Sequence, residues 1–212
     1  MDINWLGHSC FRIKGSHVVV MTDPFPPDLG YSLGKQTARL VTVSHQHPSH
    51  SYVQGIEGSP RAITGPGEYE ISNIVVIGVG TYHDGANGKE RGKNTVFVFE
   101  IDGVLVCHLG DLGHTLTAGQ KEEIDKVDVL LLPVGGGSAL NASMAAEVVR
   151  QLEPKIVVPM HYKTPALKRE LDPVEKFLKE MGSPQLTPQP KLSVTRANLP
   201  LKLQVTLLEY AG

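Results

Sequence analysis

Apolar and polar positions alternate over short stretches in the first half of the chain and spread to wider spacings in the second. Cys10-Phe11-Arg12-Ile13 and the run from His17 to Met21 flank Gly15-Ser16, a turn signal, and together predict a hairpin with His17 exposed midway along one strand. The prolines of Asp23-Pro24-Phe25-Pro26-Pro27 have no N–H to give a central strand, so an irregular loop is expected through about Gly34. Arg39 to Ser44 is a compact β-branched strand, and Ile74 to Ile77, Thr95 to Ile101 and Val104 to Cys107 carry further strand signal. Asp102-Gly103 supplies the tight turn between the last two.

The second half alternates helix and strand. Thr117-x-x-Gln120 is a capping box that opens a short helix, and Val129 to Leu132 reads as a buried strand. From Ala142 to Leu152, the residues Met144, Ala145, Val148, Val149 and Leu152 share one helical stripe, which Pro154 stops. Ile156 to Pro159 is another strand, Asp172-Pro173-x-Glu175 starts a helix that Gly182 ends, and a last strand is expected from Lys202 to Leu208. The pattern predicts an α/β protein in which mixed sheets are covered by helices.

Composition narrows the class without naming a function. The 212 residues suit one domain spanning 1–212, and 41% apolar with 20% charged residues can bury a full core. Lys plus Arg number 20 against 22 acidic residues, which argues against a dedicated duplex-binding protein, so nucleic acid is not an expected partner. No apolar run has the length of a membrane span, and the N-terminus lacks a basic segment followed by an apolar one. Two cysteines suit a reducing compartment, and a cytoplasmic location is expected.

The histidines carry the information. His45, His47 and His50 crowd one loop, Asp111 lies between His108 and His114, and His8, His17, His83 and His161 stand singly. His45, His83, Asp111 and His161 each follow a predicted strand, and the carboxyl ends of strands are where sites assemble in α/β proteins. His45 and His47, two apart in extended chain, share a face, while His50 lies within a turn of His47. Imidazole and carboxylate are the ligand set of zinc, whose catalytic sites keep one position open for water.

These motifs resemble the metallo-β-lactamase fold superfamily, and within it the small hydrolase branch similar to ascorbate-phosphate lactonases. The resemblance rests on His45-x-His47-x-x-His50, His83, Gly110-Asp111 and His161, with Gly7-His8-Ser9-Cys10-Phe11, Thr22-Asp23-Pro24-Phe25 and Pro159-Met160-His161-Tyr162. It implies a four-layer αββα sandwich with a metal site along one edge of the two sheets. It further implies that His45, His47 and His83 hold a first metal, that Asp111 bridges, and that His50 and His161 hold a second. Zinc is the expected ion, in one or two copies, with manganese or iron as alternatives. One departure stands out: the family's usual aspartate before the third histidine is here Ser49. A neutral hydroxyl is a poor ligand, so the second ion is expected to be weak, replaceable or absent unless His8 or His114 compensates.

The resulting expectation is a metal-dependent hydrolase, using metal-activated hydroxide on a small-molecule ester, lactone or phosphoester. Asp111 would orient the water and pass on its proton. His8 either lines the site as a second catalytic residue or is a hydrogen-bonded structural histidine. A non-hydrolytic metal or ligand-binding protein on the same fold is the alternative, and a nuclease a third reading; a homo-oligomer is compatible with all of them. Weaker signals include Gly135-Gly136-Gly137-Ser138 as an anion cradle, the polar stretch 83–92 as a mobile lid with Asp84 supporting His83, and Lys163 as a contact for an anionic substrate. Cys10 and Cys107 are read as core rather than ligands.

Overall fold

The computed structural model describes residues 1–210. Its strands in chain order are β1 (Asp2–Gly7), β2 (Cys10–Lys14), β3 (Val19–Thr22), β4 (Gln36–Thr37), β5 (Leu40–Thr42), β6 (Ile56–Glu57) and β7 (Arg61–Ile63). They continue as β8 (Gly67–Ile71), β9 (Ile74–Tyr82), β10 (Lys93–Ile101), β11 (Val104–His108), β12 (Val129–Pro133), β13 (Ile156–Met160), β14 (Leu192–Ser193) and β15 (Gln204–Val205). The helices are α1 (Ala118–Ile124), α2 (Ala142–Leu152) and α3 (Val174–Glu180).

Two large mixed sheets result. The first runs β14-β1-β2-β3-β5-β7, antiparallel as far as β3 and parallel beyond it; the second runs β15-β13-β12-β11-β10-β9-β8, parallel from β15 to β11 and antiparallel thereafter. Alternation decides what each face does. Phe11, Ile13, Val20 and Leu40 of the first sheet join Phe97, Phe99 and Val106 of the second in one core. Their neighbours Cys10, Met21 and Val41 point the other way, into a smaller cluster with Phe25, Leu29 and Tyr31. The proline loop after β3 thus covers the outer face of the first sheet. The helices serve the second: α1 packs on β9, α2 on β12, and α3 on α2. The fold is a metallo-β-lactamase-type sandwich.

The local signals operate as read. Thr117 and Gln120 exchange both capping-box bonds at the start of α1, an arrangement worth about 1 kcal/mol. Asn141 caps α2 by accepting from the Met144 N–H, and the buried stripe runs through Ala145, Val148, Val149 and Leu152. Several details differ, among them the short strands β4, β6, β7 and β14, which were not expected. His17 is exposed but lies in the hairpin turn rather than in β3. Strand β1 was not expected, although Ile3 and Trp5 alternate inward with Asp2 and Asn4 facing out. The expected strand from Lys202 to Leu208 shrinks to β15, whose partner runs out of donors. Gln204 and Thr206 donate to the carbonyls of Lys155 and Val157, and the next residue on that side of β13 is Pro159, which has no N–H. No helix among the described residues is long and apolar enough to cross a membrane.

Candidate metal centre

Six strand ends converge on one edge of the sandwich. His8 follows β1, Asp23 follows β3, His45 comes just after β5, His83 follows β9, Asp111 comes just after β11, and His161 follows β13. Three of them hold left-handed backbone, at φ 52° for His8, 39° for Asp23 and 51° for His161. For non-glycine residues this costs about 1–3 kcal/mol each and concentrates at functional sites.

Asp111 sits at the centre, 3% exposed. Its Oδ2 lies 3.2 Å from His50 Nε2, 3.6 Å from His161 Nε2 and 3.9 Å from His83 Nδ1. Burial alone would push its carboxyl up, yet the imidazoles of His161 and His50 hold it well below the usual carboxylate range. Its backbone is pinned by Asn94, which accepts from the Asp111 N–H at 3.0 Å and donates to Leu109 O and Thr81 Oγ1. Gly110 allows this approach, since at φ 58° a Cβ there would run into Ser44 and Asn94.

His50 is held from both sides. Its Nδ1 donates to Asp23 Oδ2 at 2.9 Å, and Asp23 also accepts from the Ser44 N–H and hydroxyl at 2.7 and 2.5 Å. Burial lowers the affinity of His50 for its proton, but the two carboxylates win and raise its pKa to about 10. At the rim, His45 donates Nδ1–H to the Ser44 hydroxyl at 3.0 Å, leaving Nε2 free, and burial pulls its pKa down to about 4. His47 pairs through Nδ1 with Ser49 Oγ at 2.7 Å. The residue standing in place of the family's aspartate is thus engaged in orienting a neighbouring histidine.

Three overlapping groups have one ligand atom from each member within 4.8 Å of the others: His45, His83 and Asp111; Asp23, His45 and His50; and His8, His50 and His161. Buried nitrogens of His8, His83 and His161 have no hydrogen-bond partner. Leaving such a group unpaired costs about 1–3 kcal/mol. Several unpaired imidazole nitrogens around an ionised carboxylate fit a divalent cation of the zinc class. His47 belongs to none of the three groups and stands half-buried at the edge, its ring 5.9 Å from that of His45.

Other candidates have different duties. His114 accepts from the Tyr82 N–H and donates to Thr115 O, so neither nitrogen is free for a metal. His108 donates Nε2–H to Ser9 O at 2.8 Å, tying β11 to the turn after β1. Asp84 does not support the His83 ring; it accepts the N–H groups of Ala86, Gly88, Glu90 and Arg91. Those bonds outweigh desolvation, lower its pKa to about 2, and organise the segment expected as a mobile lid. The glycine turn is no anion cradle: Gly135 and Gly136 donate to His161 O and Leu140 O, and Gly135 is small because the His161–Tyr162 backbone passes against it. Lys163 donates to Leu167 O and Arg169 O and pairs with exposed Glu170, which braces a turn rather than reaching the site. Cys10 and Cys107 are buried free thiols.

Two residues that sequence reasoning missed lie on that braced turn. Lys168 and Arg169 line a cleft of about 230 Å³ with Pro48 and Ser49. The Arg169 charge, after burial and nearby imidazoles, helps to hold His8, His47 and His161 below their ordinary values. Asp23 was visible in the Thr22-Asp23-Pro24-Phe25 motif without a role; its place directly after a strand is the signal it shares with the other five.

Comparison with known proteins settles the relationship. The family described as "Beta-lactamase superfamily domain" matches residues 2–161. The chain belongs to this family. Within the beta-lactamase superfamily, it is 31% identical to a UPF0173 protein of Pyrococcus furiosus over 85% of this chain and 90% of that one. It is 29% identical to a UPF0173 metal-dependent hydrolase of Thermococcus onnurineus over 77% of this chain and 85% of the relative. A crystal structure of a candidate zinc-dependent hydrolase of the superfamily from Thermotoga maritima shares 40% identity and a TM-score of 0.79, covering 98% and 97% of the two chains.

Proposed function

We propose that this metal-dependent hydrolase of the metallo-β-lactamase superfamily works with one or two zinc-class cations on a small-molecule ester, lactone or phosphoester. The ligands would be His45, His47, His83 and Asp111 for one ion, and Asp111, His50 and His161 for the other. The observation that carries the reading is the buried Asp111 carboxylate facing His50, His161 and His83 at 3.2 to 3.9 Å. A bound cation supplies the chemistry by making water acidic enough to attack near neutral pH and by drawing charge from the substrate's oxygen. Asp111 would orient the water and accept its proton. Asp23 holds His50 in one ring orientation, as carboxylates behind metal-ligating histidines do.

The substrate side is set by loops. Lys168 and Arg169, which share a cleft beside Ser49 with a single acidic residue, Asp28, favour a substrate carrying an anionic group. The engagement of Ser49 with His47 supports a working site over a disabled one.

Elemental analysis of untagged protein, with His45→Ala as control, tests the reading, followed by a panel of esters, lactones and phosphoesters. One or two equivalents of metal, reduced in the variant, with turnover lost on chelation and restored by zinc or manganese, is the expected result. No metal after refilling would sink it. Metal without turnover across the panel would favour a binding protein.

A further inference from the structure

We propose that His8 is a ligand of the second cation, taking the place of the carboxylate that Ser49 does not provide. The inference rests on the metal-centre reading above and assigns to it a residue outside the ligand set that the superfamily implies.

Strand β1 delivers His8 to a defined place. Gly7, at φ 110°, lies beneath the Tyr31 ring, and the chain then turns into left-handed backbone at His8. The His8 carbonyl accepts from Trp5 Nε1 at 2.9 Å and from the His161 N–H at 3.1 Å, which clamps the two histidine backbones together. Its ring centroid stands 4.4 Å from that of His161 and 4.6 Å from that of His50. The residue is 0% exposed, and neither ring nitrogen has a hydrogen-bond partner.

A buried imidazole with both nitrogens unpaired is rare, because desolvation removes water and nothing replaces it. What faces His8 is not a carbonyl or hydroxyl but two more imidazoles, and the three offer nitrogens within 4.8 Å of one another. Three converging imidazole nitrogens are a ligand set that a zinc-class cation would take, with Asp111 beside them as the anionic ligand. Ser49 cannot be that fourth group, since its hydroxyl is engaged 2.7 Å from His47 Nδ1. Exchange of a carboxylate for a neutral imidazole leaves the ion pair one unit more positive. An anionic substrate suits that balance.

The test is cation binding, read independently of turnover. Metal-stripped protein is titrated with zinc and with cobalt(II), following stoichiometry by elemental analysis and cobalt absorption. Wild type should take two ions. His8→Asn, which tolerates left-handed backbone, should keep one ion and bind the other at least about 10–100-fold more weakly. His8→Cys should add a thiolate-to-cobalt charge-transfer band, a direct sign of coordination that does not depend on the fate of His8→Asn. Wild-type affinity for both ions in His8→Asn, or cobalt bound to His8→Cys without the band, would overturn the proposal. A single ion in the wild type, unaffected by His8→Asn, would also overturn it while leaving the hydrolase reading intact. Failure of the wild type to bind any cation would remove both.

Discussion

The two halves of the metal centre are built differently. His45 and His47 sit half-buried at the rim, each oriented by a serine hydroxyl, Ser44 or Ser49. His8, His50 and His161 lie inside the sandwich, at most 3% exposed, with the Asp23 carboxylate behind His50. A hydroxyl gives a ring direction without charge, so the rim ligands can exchange a metal for water at small cost. The inner ligands have no such exchange, because water does not reach them. The unpaired nitrogens and left-handed backbone of His8 and His161 are tolerable only if something charged completes them. The open half suits water and substrate, and the closed half suits a resident ion.

The largest disruption should come where the halves meet. Replacing Asp111 by Ala removes the carboxylate that both face, and turnover should fall by at least about 10²–10³-fold, as when a single preorganised polar group is lost. Steady-state kinetics alongside metal content would check this, and near-normal turnover would dissolve the comparison altogether. Next comes Asp23→Asn, which strikes the closed half alone. Loss of one partner from a buried ion pair costs up to about 3–5 kcal/mol. For a chain of this size that predicts a Tm lower by up to about 6–20 °C in calorimetry, together with weaker cation binding. An unchanged Tm would mean that His50 does not depend on Asp23. On the open half, Ser49→Ala should loosen His47 and weaken one ion by about tenfold, with little change in Tm; equal losses of Tm in both variants would erase the distinction. The smallest effect is expected from Asp84→Ala. It frees the amides of Ala86, Gly88, Glu90 and Arg91, so their hydrogen exchange should quicken while metal content stays the same.

How far the chain announces this arrangement varies by element. The hairpin at Asp102-Gly103, the capping box at Thr117 and the stripe of α2 are local, and each is set by residues within one turn or one strand of itself. Strand β15 is not local, because its length depends on Pro159 in a strand nearly fifty residues earlier. The same divide runs through the site. His45, His83, Asp111 and His161 are legible as ligand-type residues after strands. The duty of His114 is not, since its Nε2 accepts from Tyr82 on a distant strand, and those of Asp84 and Lys163 depend on how the short loops after them fold back.

By itself, then, the sequence determined the period of each element, the superfamily motifs and the kind of chemistry that histidine and aspartate can support, because these depend on residue type and short spacing. Only the tertiary structure decided which nitrogens are left without partners, that Arg169 lies beside Pro48 and Ser49, and that His8 faces His50 and His161. Those are matters of distance between segments far apart in the chain, and burial gives them their force: a polar group excluded from water must find its partner wherever the fold has put one.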